Sequence, residues 1–317
     1  MMRKHLSAQG LFGHVKTSFS AIPDHRIQGN VTYTLSDTLS SGLAIFSFKA
    51  PSLLKFIERT NHHIEGPNIR SLFQIPKIAS DTQIRDILDP VNPEELRPAY
   101  DSVLREFQRG GELQKFMILE HYCIALDGTG VFSSAKISCP HCLTKKTKSK
   151  NKTSKKTDEE EHDQHEAEGN TRQLTYHHQM LGACIVHPHH KQVIPLFPEP
   201  ITNKDGFNKN DCERNASKRW IEKFRKHHPK MPSLILEDSL ASNVPHLKTL
   251  KDHDCRYLTG VKESDHKYLF EQFSINSQTT CTQNHQTVVL AGEKVSKKIT
   301  KNYEFINGLE LNRSDAD

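Results

Sequence analysis

At 317 residues, with 35% hydrophobic and 26% charged side chains and a mean hydropathy of -0.65, the chain can hold two ordinary domains or one large α/β domain with a helical extension, beside strongly polar segments. Seven cysteines, an odd number without framework spacing, exclude a disulfide scaffold and point to a reducing, cytoplasmic setting. No membrane anchor is expected, because the most apolar stretch, "SGLAIFSFKAPSLLKFI", is broken by Lys49 and Pro51, while the net charge of +5 and the twenty histidines favour a polyanionic partner, more so in mild acid.

The first part of the chain reads as helices. "LSDTLSSGLAIFSFKAPSLLKFIERTNHH" offers Ser and Asp as N-caps, and Pro51 can open a second helix. In "ASDTQIRDILDPVNPEELRPAYDSVLREFQRGG", Ser80 or Asp81 caps one helix, Pro93, Glu94 and Glu95 start the next, and Gly110 with Gly111 stops it. From about Lys115 the texture changes. "FMILEHYCIALDGTG" predicts a buried strand ending near Asp127, and "GVFSSAKIS" a second one. A lysine block followed by an acidic block, residues 144–172, has no apolar periodicity and is expected to be a disordered, solvated insertion. A nucleic-acid arm is the other reading of it. "LTYHHQMLGACIVHP" and "HKQVIPLFPEPI" predict a hairpin turning around Pro188. "NDCERNASKRWIEKFRKHHP" predicts a helix capped by Asp211 and closed by Pro229. "PSLILEDSLAS" reads as a strand leading into Glu237 and Asp238, and "VPHLKTLKDH" as a helix. "CRYLTGVK", a short helix near "DHKYLFEQF", and strand-like "QTVVLAG" and "YEFINGLEL" complete the chain. No internal repeat is present.

Asp127 and Asp238 each follow a hydrophobic run, "CIAL" and "LILE". Carboxylates at strand ends of an α/β sheet, where ligands gather, can share hard divalent cations. An Asp-Gly pair is by itself more often a turn. Cys139 and Cys142 in "SCPHC" have metal-ligand spacing, yet zinc takes four ligands and a second cysteine pair is absent. Cys184, His187, His189 and His190 could complete a site if their turn returned beside the pair. Two reduced cysteines in a tight turn are the simpler reading, and a zinc-dependent interaction module is the least favoured function. Arg214, Lys218, Arg219 and Lys223, with Arg225 and Lys226, fall on one helical run that could follow DNA phosphates or form a solvated basic face. Trp220 among them is expected in the core. The helix after Ser80 is a weak candidate for a recognition helix.

The stretches "LDGTGVFSSAKISCPHC", "YHHQMLGACIVHPHHKQVIPLFPEPI", "DGFNKNDCERNASKRW" and "LILEDSLASN" together resemble the catalytic core of DDE transposases from bacterial insertion sequences. "IPDHRIQGNVTYTLSDTLSSGLAIFSFKAPSLLKFI" and "SDTQIRDILD" resemble the amino-terminal region of the same group. The resemblance implies an α/β, ribonuclease H-like mixed sheet flanked by helices, formed by residues 115–317, after a helical region, 1–114, that binds DNA ends. It implies Asp127 and Asp238 as the first two catalytic carboxylates, holding Mg²⁺ or Mn²⁺, with transposon ends and target DNA as partners and a homodimer as the acting form. The third acid of that family is a Glu within a Tyr, Arg, Glu, Lys pattern that is not found here. Glu263, Glu271, Glu304 and Glu310 lack its context, so no third residue is assigned. The expectation is therefore a transposase shortened at its C-terminal end and impaired in catalysis, with a non-catalytic remnant that occupies transposon ends as the alternative.

Overall fold

The structure is a computed structural model, and it describes residues 6–27, 29, 31–60, 65–148, 172–205, 209–275, 280–289 and 296–312. The chain divides into two compact units, Met1–Leu236 and Glu237–Asp317.

The first unit opens with the expected helices: α1 (Ala8–Ser20), α2 (Leu35–Ser47), α3 (Leu53–Thr60), α4 (Glu65–Ser71), α5 (Asp81–Leu88) and α6 (Arg97–Arg109). Local chemistry sets their ends. Thr34 caps α2 by accepting a hydrogen bond from the Asp37 amide, and Ser80 and Gln83 form a reciprocal capping box at α5. Gly110 ends α6, and Gly111 takes φ +76°, a backbone conformation that suits glycine. Two apolar clusters fix the helices to one another. Phe19, Ile22, Leu35, Leu39, Ile87 and Ala99 form one; Ala44, Ile45, Phe56, Ile69, Phe73 and Ile75 form the other.

The sheet follows. A short β1 (Met117–Ile118) pairs antiparallel with β2 (His121–Ser134), the long central strand. On one side β2 pairs antiparallel with β4 (Arg172–Val186), which in turn carries β3 (Leu143–Lys148) and β5 (Ile194–Ile201), both antiparallel. On the other side β2 pairs parallel with β6 (Ser233–Glu237), from Tyr122 opposite Ser233 to Ala125 opposite Leu236. Helix α7 (Lys209–His227) joins β5 to β6. Antiparallel neighbours on one side of the first long strand, and a parallel neighbour reached through a helix on the other, are the ribonuclease H-like arrangement implied above. Buried Ile124, Leu126, Leu181, Ile185 and Leu196 from the sheet, with Ala216, Trp220, Ile221 and Phe224 from α7, make its core. Trp220 is 2% exposed, stacks on Phe224 at 4.8 Å and donates its indole N–H to the Phe197 carbonyl, which confirms it as a core residue.

The second unit contains α8 (Val244–Asp252), β7 (Arg256–Thr259), α9 (Lys267–Ile275) and the antiparallel pair β8 (Thr280–Val289) and β9 (Ser296–Phe305). The Gly260 amide, just past β7, donates to the Glu237 carbonyl.

Three expectations about the elements are corrected. No strand ends near Asp127: β2 runs on through Asp-Gly-Thr-Gly to Ser134, so "GVFSS" is its second half and not a separate strand. Pairing with β4, Asp127 opposite Gly182 and Thr129 opposite Met180, satisfies the backbone that a turn would otherwise have claimed. The charged stretch does not begin as an unstructured loop at Thr144, because Leu143–Lys148 is hydrogen-bonded to β4 as β3; residues 149–171 of that expectation lie outside the described residues. Helix α7 starts at Lys209, so Asp211 lies within its first turn instead of capping it.

Candidate functional site

Asp127 is the seventh residue of β2, exposed, and follows the buried run Tyr122–Ile124 and Leu126. Its backbone is paired with Gly182 of β4, and the residues just before it, up to Ala125, are also paired with β6, so an exposed carboxylate is presented from a strand fixed by its neighbours. Gly128, next to it, faces the opposite side of the sheet. There a Cβ at position 128 would lie 2.5 Å from Glu213 Oε2 of α7, so the absence of a side chain makes room for that carboxylate. Glu213 escaped the sequence reading. Its signal was its place in "NDCERNASKRW", but only the packing of α7 shows that it reaches β2.

In the second unit, Asp238 is the first residue after β6, where the sequence had placed it. It is exposed, and its Oδ1 accepts the Leu240 amide at 2.8 Å, which fixes the carboxylate over its own turn. Gly260 sits close by: a Cβ there would be 3.3 Å from the Ser239 nitrogen. The preceding Glu237 bonds through Oε2 to Nε2 of His246 at 2.7 Å, with the imidazole 1% and the carboxylate 6% exposed. This buried pair pins the end of β6 to α8, a role that no local sequence pattern discloses.

A hard cation such as Mg²⁺ is commonly held by one or two carboxylates, with waters and substrate phosphates completing the shell. Asp127 fits that demand as an exposed oxygen donor on a fixed backbone. Among the described residues no three acidic ligand atoms gather into a ready-made cage.

The basic run on α7 is divided by the fold. Arg219 donates from Nε to Glu199 Oε1 at 2.9 Å, from Nη1 to Asp205 Oδ1, and from Nη2 to the Pro200 carbonyl at 2.9 Å. Lys223 Nζ donates to both Glu199 oxygens, at 3.0 and 2.9 Å, and to Glu94. Glu199 and Asp205 are only 4% and 7% exposed, so these cations neutralise buried acids. Arg219 and Lys223, expected to follow DNA phosphates, thus also serve these acids, while 35% and 34% of their side chains stay exposed. Burial opposes the charge of Arg219, yet the hydrogen bonds it donates to Asp205 and Glu199 outweigh that and raise its pKa. At Glu94 burial likewise pushes the carboxyl up, and the hydrogen bonds from Lys223 and Arg97 bring it below its ordinary value. Arg214 and Lys218 are half-buried on the same helix.

The cysteine pair does find company, but not the expected kind. Both Cys139 Sγ and Cys142 Sγ lie 3.3 Å from Nε2 of His178 on β4, and 3.6 Å from each other. Among the described residues the group that closes around the pair contains His178 and none of Cys184, His187, His189 or His190. The reason is register. Cys184 pairs with Ala125 near the middle of the sheet, whereas His178 pairs with Phe132, far along the ribbon where the cysteine turn lies. His190 instead approaches the Lys115 carbonyl at 3.1 Å.

No described helix is long and apolar enough to cross a membrane. No family model and no curated protein matches the chain. Among solved structures it is similar to the piggyBac transposase synaptic complex with hairpin DNA, at 14% identity and a TM-score of 0.36, over 97% of this chain and 62% of that one. It is similar at 12% identity and a TM-score of 0.23 to a Mos1 transposase paired-end complex with left transposon end, over 80% of this chain and 75% of that one. A pre-cleavage Mos1 transpososome matches at 9% identity and a TM-score of 0.18, over 76% and 85% of the two chains. The chain thus spans 62% of the length of the piggyBac transposase chain it matches.

Proposed function

We propose that this chain is a DNA transposase of the DDE insertion-sequence type, which binds transposon-end DNA and uses Asp127 and Asp238 with divalent metal to cut and join phosphodiester bonds. The observation that carries the reading is Asp127 itself. It is an exposed carboxylate in the middle of the central strand of a ribonuclease H-like sheet, inside the "LDGTG" stretch on which the sequence resemblance rests. Bound Mg²⁺ or Mn²⁺ supplies Lewis-acid stabilisation of a phosphoryl oxygen and a more acidic water.

The protein's part is positioning. Pairing with β4 holds the Asp127 backbone, pairing with β6 holds β2 up to Ala125 just before it, the Leu240 amide orients Asp238, and the Glu237–His246 bond fixes the segment from which Asp238 projects. Arg214, Lys218, Arg219 and Lys223 are the proposed phosphate contacts on α7, the last two alongside their pairing with the buried acids. Such contacts would give salt-dependent affinity without sequence preference.

The test uses the purified full chain with a duplex carrying the terminal repeat taken from DNA flanking the gene. Nicking dependent on Mg²⁺ or Mn²⁺ is expected. Asp127→Asn and Asp238→Asn should each slow it at least about 100-fold, or about 2.7 kcal/mol of transition-state stabilisation, while leaving end binding in place. Binding without any nicking by the parent chain would overturn the catalytic assignment and leave an end-binding protein. Failure to prefer the terminal repeat over unrelated duplex would overturn the transposase reading altogether.

A further inference from the structure

The outer half of the β2–β4 ribbon lacks what holds the rest of the sheet together. Burial along β2 stops at Leu126; Val131 on β2 and Ile137 just past its end are 60% and 65% exposed, and beside them only Cys142 and Leu143 are buried among the described apolar side chains of the turn and β3. The pairing there is also irregular, with a register shift between Gly130 and Phe132. A stretch without a core of its own needs another fastening, such as a metal. Cys139, Cys142 and His178 lie at this place.

Their geometry discriminates among three explanations. A disulfide requires sulfurs about 2.05 Å apart, against the 3.6 Å found. A hydrogen bond to the imidazole uses the single in-plane lone pair or proton of Nε2. Two sulfurs at the same 3.3 Å from that atom cannot both lie along one direction. A tetrahedral zinc ion, with Zn–S of about 2.3 Å and Zn–N of about 2.0 Å, separates two sulfurs by about 3.8 Å and a sulfur from a nitrogen by about 3.5 Å. The observed triangle is within about 0.3 Å of those edges.

The surroundings support the same reading. The cysteines close a tight turn, in which the Cys142 amide donates to the Cys139 carbonyl at 3.2 Å and the Cys139 amide points at Cys142 Sγ at 3.2 Å. The His178 ring lies 6.2 Å from the Phe132 ring across the strand pair. Two thiolates and an imidazole are soft and borderline donors that suit zinc and not magnesium, so this set differs in kind from the exposed carboxylates.

We propose that Cys139, Cys142 and His178 bind one zinc ion, with water at the fourth position beside exposed Cys139, and that the ion fastens the turn before β3 to β4. It clamps the outer ribbon, and it stands or falls independently of the catalytic reading of Asp127.

The experiment starts with the full chain purified without chelator, whose metal content is measured by mass spectrometry, then stripped, reduced and titrated with Co²⁺. About one zinc per chain is expected, as are the visible bands of tetrahedral thiolate-bound cobalt. Cys142→Ser and His178→Ala should each weaken cobalt binding at least about 100-fold, while Cys184→Ser leaves it unchanged. Should those variants misfold, the parent chain still decides: returning zinc to the stripped protein should raise its melting temperature. The proposal is overturned if the reduced parent chain shows no cobalt bands, if Cys142→Ser retains them, or if the chain forms a Cys139–Cys142 disulfide in air and takes up no metal after reduction.

Discussion

Arg219 shows how a side chain with the chemistry of a DNA contact also serves structure. It is 35% exposed at the side chain, but its donors satisfy two nearly buried acids, Glu199 and Asp205. Removing one partner of a buried pair costs about 3–5 kcal/mol. With Lys223 still on Glu199 and part of Arg219 in water, Arg219→Ala is expected to cost about 2 kcal/mol. Lys218→Ala should stay within about 0.5 kcal/mol. Urea midpoints of the two variants check this, and equal midpoints would mean that its pairing with these acids does not stabilise the fold. Asp24 offers a second case with a pH signature. Arg26 grips its carboxylate through Nε at 2.9 Å and Nη2 at 2.6 Å, and that hydrogen bonding outweighs burial and holds the pKa below its ordinary 3.8. A depressed carboxyl stabilises the fold fully above its unfolded value and loses that contribution as pH falls through the lower folded value. Asp24→Asn should therefore cost about 1 kcal/mol at pH 7, and the gap to the parent chain should narrow below about pH 4. Chemical denaturation at a series of pH values measures it; a gap independent of pH would contradict the ion-pair account.

Among the elements, α7 links the sheet of the first unit to its helical part. Its apolar side places Ala216, Trp220, Ile221 and Phe224 in the sheet core, while its polar side reaches α6 through Asp101, which lies 3.3 Å from His227 and 3.4 Å from His228. Trp220→Ala should cost about 3–5 kcal/mol, lost as both packing and the hydrogen bond to Phe197; a cost under about 1 kcal/mol would mean that α7 is not seated as described. Much of α7 could be read directly, because its apolar spacing and closing proline are local features. The helical ends of α5 and α6 were equally legible in Ser80 and in Gly110 with Gly111. Strand β2 was not. Asp-Gly-Thr-Gly carries strong turn chemistry, and only the opposite residues Gly182, Leu181 and Met180 on β4 keep it extended.

For the whole molecule, the sequence by itself determined the α/β class, the helical first part, the hairpin around Pro188, Trp220 in the core and Asp238 directly after a strand. These follow from apolar periodicity, caps and breakers, which act over a few residues and need no knowledge of the rest of the chain. Tertiary structure decided the continuity of β2, the conversion of the 143–148 segment into β3, the pairing of Arg219 and Lys223 with buried acids, the place of Glu213 beside Gly128, and the choice of His178 over Cys184 and the "VHPHH" histidines as companion of the cysteine pair. His178 stands 36 residues from Cys142 in the chain, and Lys223 stands 24 from Glu199. Strand register and helix packing bring such residues together, and a shift of one residue in register would send each side chain to the other face of the sheet.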